Sequence, residues 1–319
     1  MNFSIDTTMV IEEAKATVKK RGAVRITVNF LLVYLMTILL GAFILSGVFI
    51  LLAVFSSLSD NPQSGLMGMI LNFLQETSGI LNFASILSCI MLIAIPIYYC
   101  TKLERRRLFT MGFTKKNAVS EYLVGLGIGF LMFALSFGVI YIFGGYDSLS
   151  FNSDISAGII VLTFLGFVIQ GMSEEVFVRG YYMVSLATNG NIPLAIFISS
   201  FAFSLLHLGN DGLNAIALIN LLLFGIFAGL YFIRRGNIWG IGALHTMWNF
   251  AQGNIFGCKV SGNFAGESII ATSQTDRFSF INGGEFGPEG GIAVTVILLA
   301  GIVVLYFIKN KDRFAEIDC

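Results

Sequence analysis

An all-α polytopic membrane protein with about eight transmembrane helices is the fold this sequence predicts, on three observations. Of its 319 residues 56% are hydrophobic and 12% charged, with a mean hydropathy of +0.83, well above what a soluble domain of this size carries. The apolar residues fall into eight segments of the length a bilayer span requires, about twenty residues. Lys and Arg lie almost entirely on one side of those segments, as the positive-inside rule demands.

Taken in order, the spans are 27–55, 80–100, 119–143, 156–175, 192–208, 213–233, 237–257 and 291–308. The first exceeds a signal-peptide core of about 7–15 residues and is followed by no small-residue cleavage site, so it is retained. Before it stand Lys15, Lys19, Lys20, Arg21 and Arg25, and after the second come Lys102, Arg105, Arg106, Arg107, Lys115 and Lys116. Arg179 follows the fourth span, Arg234 and Arg235 the sixth, and Lys309, Lys311 and Arg313 the eighth. The opposite side holds Lys259 and Arg277, which makes the first side, with both termini, cytoplasmic.

The chain then divides into a cytoplasmic segment 1–26, a scaffold of three spans at 27–155, a core of four spans at 156–257, an outer loop 258–290, and the last span with its cytoplasmic tail at 291–319. Pro96 is the one proline inside the scaffold spans. The stretch 56–79, "DNPQSG" followed by "LMGMILNFL", is suited to the membrane interface. The outer loop, rich in Gly, Ser and Asn, predicts an irregular cap. A net charge of zero argues against a nucleic-acid partner. With Cys89 and Cys100 inside a span, Cys319 in the tail and Cys258 alone outside, no structural disulfide is expected.

Chemistry concentrates in the core. The two histidines of the chain, His207 and His245, both lie there, with Glu174, Glu175, Arg179 and Asn249. Ionisable groups facing lipid cost from about 2.5 to well over 10 kcal/mol, so these face an interior or a wet cavity. Successive helical residues diverge by about 100°, so Glu174 and Glu175 address different neighbours while Glu175 and Arg179, at i and i+4, share a face. Glu175 is thereby assigned to pairing with Arg179, a structural role, and Glu174 is left for general-base chemistry in an apolar pocket. His207 is either a second base and orienting partner or an imidazole tied to a backbone carbonyl. His245 and Asn249, also i and i+4, either present two donors to a developing oxyanion or hydrogen-bond across helices as packing contacts.

Glu174-Glu175-x-x-x-Arg179, Phe203-x-x-x-His207 and His245-x-x-x-Asn249, in that order and each on a hydrophobic segment, resemble the three motifs of the CPBP family. These are the CAAX protease and bacteriocin-processing intramembrane endopeptidases, which include the type II CAAX prenyl endopeptidases. The resemblance covers about 156–257 and implies an intramembrane catalytic cavity that acts on a peptide or protein substrate within membrane lipid, without a cofactor or a metal. It implies Glu174 as the base on water, His207 as its assistant, His245 and Asn249 as the oxyanion hole, Glu175 and Arg179 as organisers of the site, and Phe203 as a packing residue. It also implies a bacterial plasma membrane setting, with roles in CAAX-type processing, bacteriocin maturation, secretion or self-immunity. Three alternatives stay open: a zinc site built from the same Glu, His and Asn side chains in the absence of H-E-x-x-H; a transporter or proton relay, for which the sequence lacks the expected inverted repeats; and a catalytically silent scaffolding or immunity protein.

Overall fold

A computed structural model describes residues 7–58, 68 and 77–308. The predicted interfacial stretch 56–79 falls mostly outside these residues, as do the tail cations Lys309, Lys311 and Arg313 and the terminal Cys319. Each of the eight apolar segments forms a helix. After a short α1 (Met9–Thr17) come α2 (Ala23–Leu58), α3 (Thr77–Tyr98), α4 (Ala118–Ile142), α5 (Ala157–Glu175), α6 (Ile192–Leu205), α7 (Ala215–Arg235), α8 (Trp239–Phe250) and α9 (Ile292–Phe307).

By length and hydropathy five of these qualify as membrane spans: α2 to α5 and α7. The count of eight is therefore not reached on that criterion, because α6 has 14 residues, α9 has 16, and α8 has 12 before a further turn at Ala251–Ile255. Side chains such as Leu39, Phe43 and Leu51 on α2 are exposed, an apolar belt suited to lipid.

Helix starts follow capping chemistry. Asn191 accepts from the Leu194 amide at 3.0 Å and Asn214 from the Ala217 amide at 2.8 Å, each satisfying a first-turn donor that has no partner within its helix. Gly236 stops α7 with a φ of 66°, the left-handed conformation that a glycine adopts without penalty. At the same end Arg235 makes a bidentate contact with Glu121 of α4, at 2.8 and 2.6 Å, which pins two helix termini together.

Two expectations are corrected. The fourth span does not end at Glu175: wide π turns carry it through Val176–Met183 and on to Ala187. Arg179 is consequently an interior residue of a continuous 31-residue helical stretch. The second correction concerns the outer loop. Rather than being wholly irregular, it contributes β2 (Ile270–Gln274), antiparallel to β1 (Tyr146–Phe151) with Leu149 opposite Thr272. Strands of six and five residues, more than a hundred positions apart, leave too short an alternating pattern to stand out beside the helices.

Helix α8, which carries the third motif, is gripped on two sides by backbone-to-backbone packing. A Cβ at Gly125 or Gly129 of α4 would lie 2.1 Å from the Gly240 oxygen or 2.3 Å from the Leu244 oxygen. One at Gly171 of α5 would lie 2.6 Å from the Thr246 nitrogen. Small residues spaced by four allow such approach between membrane helices. Gly129→Leu is accordingly expected to force α4 off α8 and lower the thermal unfolding midpoint in detergent, whereas Gly127→Leu, at a position with open space, leaves it in place.

Candidate active site

Three helices bring the motif residues together. The Glu175 carboxylate, fully buried, accepts from Arg179 Nη1 at 2.9 Å through Oε1, the pairing expected of i and i+4. The same Oε1 lies 2.9 Å from Nδ1 of His245 on α8. Glu175 thus does more than neutralise the arginine: it fixes the imidazole, in the manner of the third member of a catalytic triad that sets a histidine's tautomer. With Nδ1–H donated to Glu175, Nε2 of His245 turns to Glu174, 3.8 Å from its Oε2.

Arg179 is held from several directions. Its guanidinium stacks 4.6 Å from the Phe203 ring centroid, and Nη2 reaches the Gly225 carbonyl at 3.4 Å. Phe203 therefore joins the first motif to the second, packing also against His207 at 4.7 Å and edge-on to His245 at 6.2 Å between ring centroids. A charge this deeply buried is tolerable only because partners surround it.

His207 follows the end of α6, with Nδ1 2.8 Å from the Phe203 carbonyl. That is the backbone tether weighed for it from sequence, and the two roles are compatible. Donation from Nδ1–H leaves Nε2 as the acceptor nitrogen, on a residue that lines the cavity beside His245 and Asn249.

One residue escaped the sequence reading. Gln170, one turn before Glu174 on α5, donates through Nε2 to Glu174 Oε1 at 2.5 Å and accepts at Oε1 from Asn249 Nδ2 at 2.9 Å. It connects the first motif to the third. An amide at i−4 from the unpaired glutamate in an otherwise apolar span was the signal available; its second partner lies on another helix and required the fold.

A cavity beside His207, His245 and Asn249 is lined also by Phe203, Phe224 and Trp248 and by Ser261 and Glu289 of the outer loop; Glu174 stands behind His245 rather than in its lining. The loop predicted to be outer thus forms part of the cavity wall. As arranged, no three His, Cys, Asp or Glu groups among the described residues converge as metal ligands.

Residues 156–251 match the family model described as type II CAAX prenyl endopeptidase Rce1-like. That range contains every motif residue from Glu174 to Asn249. No curated protein and no solved structure matches the chain.

Proposed function

We propose that this membrane protein, whose residues 156–251 match the Rce1-like family model, is a glutamate-dependent, metal-independent endopeptidase. Glu174 removes a proton from water, and the resulting hydroxide attacks the scissile carbonyl. His207 Nε2 assists that transfer, while His245 Nε2–H, in its protonated state, and Asn249 Nδ2–H stabilise the oxyanion. On collapse of the tetrahedral intermediate, the proton passes to the leaving amine. Glu175, with Arg179 behind it, holds His245 in position.

The observation that carries this reading is the unequal placement of the two adjacent carboxylates. Glu175 is spent on Arg179 and His245 at 2.9 Å each. Both glutamates leave Oε2 without a hydrogen bond, but Glu174, held through Oε1 by Gln170, has no cation on its own helical face and turns its Oε2 toward His245 Nε2. A general base needs such an uncommitted oxygen within reach of the nucleophile.

The test is hydrolysis by the purified protein in liposomes, with farnesylated and unmodified peptides bearing CAAX-type tails and product masses locating the cut. Asn249→Ala is expected to lower kcat about 100-fold or more, the loss seen when an oxyanion donor is removed. Turnover that persists in EDTA supports the metal-independent reading; loss in EDTA that zinc alone restores favours the zinc alternative. Solute flux with no peptide cleaved under any of these conditions would favour a transporter.

A further inference from the structure

The outer loop places a carboxylate in the cavity, and the family match ends at residue 251, well before it. Glu289 Oε2 accepts from the Ser261 amide at 2.7 Å and from its hydroxyl at 2.8 Å, and Oε1 accepts from Trp248 Nε1 at 3.3 Å. Ser261 takes a left-handed φ of 45° that brings both of its donors onto one oxygen, a strained conformation for a serine. All three donors are neutral, and among the described residues no cation lies within ion-pair distance of Glu289. Lys259, two residues from Ser261, turns its ammonium over the Phe264 ring instead, at 5.1 Å.

A carboxylate costs more to desolvate than an amide that would clamp the loop with the same acceptor geometry. Its charge therefore has another use. Building on the peptidase reading above, we propose that Glu289 forms an anionic subsite selecting a substrate whose cationic side chain, lysine or arginine, lies beside the scissile bond. Trp248 binds Glu289 through its indole N–H and stacks edge-on to Phe224, at 6.0 Å between centroids; Phe224 in turn meets His245 at 4.9 Å. The subsite is thus two aromatic rings, Trp248 and Phe224, from the His245 imidazole. Those same ring faces attract a cation, and the enclosed setting strengthens its attraction to the carboxylate.

The experiment digests a proteome-derived peptide library, with lysines free or acetylated, using the purified full-length chain and its Glu289→Gln and Glu289→Lys variants. For the wild type, cut sites should carry Lys or Arg at one fixed flanking position, and acetylation should lower kcat/KM at the lysine sites about tenfold. Glu289→Gln should abolish that preference and Glu289→Lys should shift it toward Asp and Glu. A wild type indifferent to acetylation overturns the proposal without need of any variant. A uniform loss of turnover in Glu289→Gln with an unchanged site profile also overturns it, leaving only a loop clamp.

A binding arm separates this proposal from the peptidase reading. Fluorescent lysyl and acetyl-lysyl peptides are titrated onto the Glu174→Gln protein with and without Glu289→Gln. Glu289-dependent preference for the lysyl peptide, where the wild type cleaves neither peptide, supports the subsite and refutes the peptidase. Cleavage without either preference does the reverse.

Discussion

Glu174→Gln is expected to lower turnover by about 100- to 10,000-fold, the range that a positioned general base contributes, while the thermal unfolding transition stays where it is. The amide oxygen of glutamine keeps the acceptor that Gln170 Nε2 uses, so the network through Gln170 to Asn249 survives. What disappears is the proton acceptor on the free oxygen. Kinetics and a melting curve on the same detergent-solubilised sample check both halves. Undiminished activity would mean that the base is another residue.

Arg179→Ala is expected to be the most destabilising single change in the core. Both members of the Arg179–Glu175 pair are fully buried. Removing one partner of a buried pair costs about 3–5 kcal/mol, because the charge left behind has nothing to compensate it. A double replacement, Glu175→Leu with Arg179→Met, removes both charges and should recover most of that loss in a denaturant titration. It should not recover activity, since His245 Nδ1 then has no acceptor to fix its tautomer. Equal instability of the single and double variants would show that the cation–π contact to Phe203 and the packing matter more than the charge.

What the sequence made legible divides along a physical line. Local periodicity was enough to locate all eight apolar helices, and helical phase alone separated Glu174 from Glu175 and paired the latter with Arg179. Interactions between elements were not legible. Arg179 was read as following the fourth span, paired with Glu175; the pair is there, but the helix that carries it continues to Ala187. Glu175 was given one partner by its i, i+4 phase, and its second, His245, comes from a helix seventy residues away. Gln170 looked like an isolated amide until Asn249 was brought across to it. Glu289 lay in a loop expected to be irregular, with nothing in its neighbourhood to suggest that it turns back into the cavity.

The account's central claim is that Glu174 drives peptide-bond hydrolysis at this site. It is tested most directly by comparing new peptide termini in membranes of cells carrying the wild type with those carrying Glu174→Gln, at equal protein abundance. The account predicts a discrete set of termini present with the wild type and absent with the glutamine variant, which at once identifies substrates. Identical termini in both would contradict it.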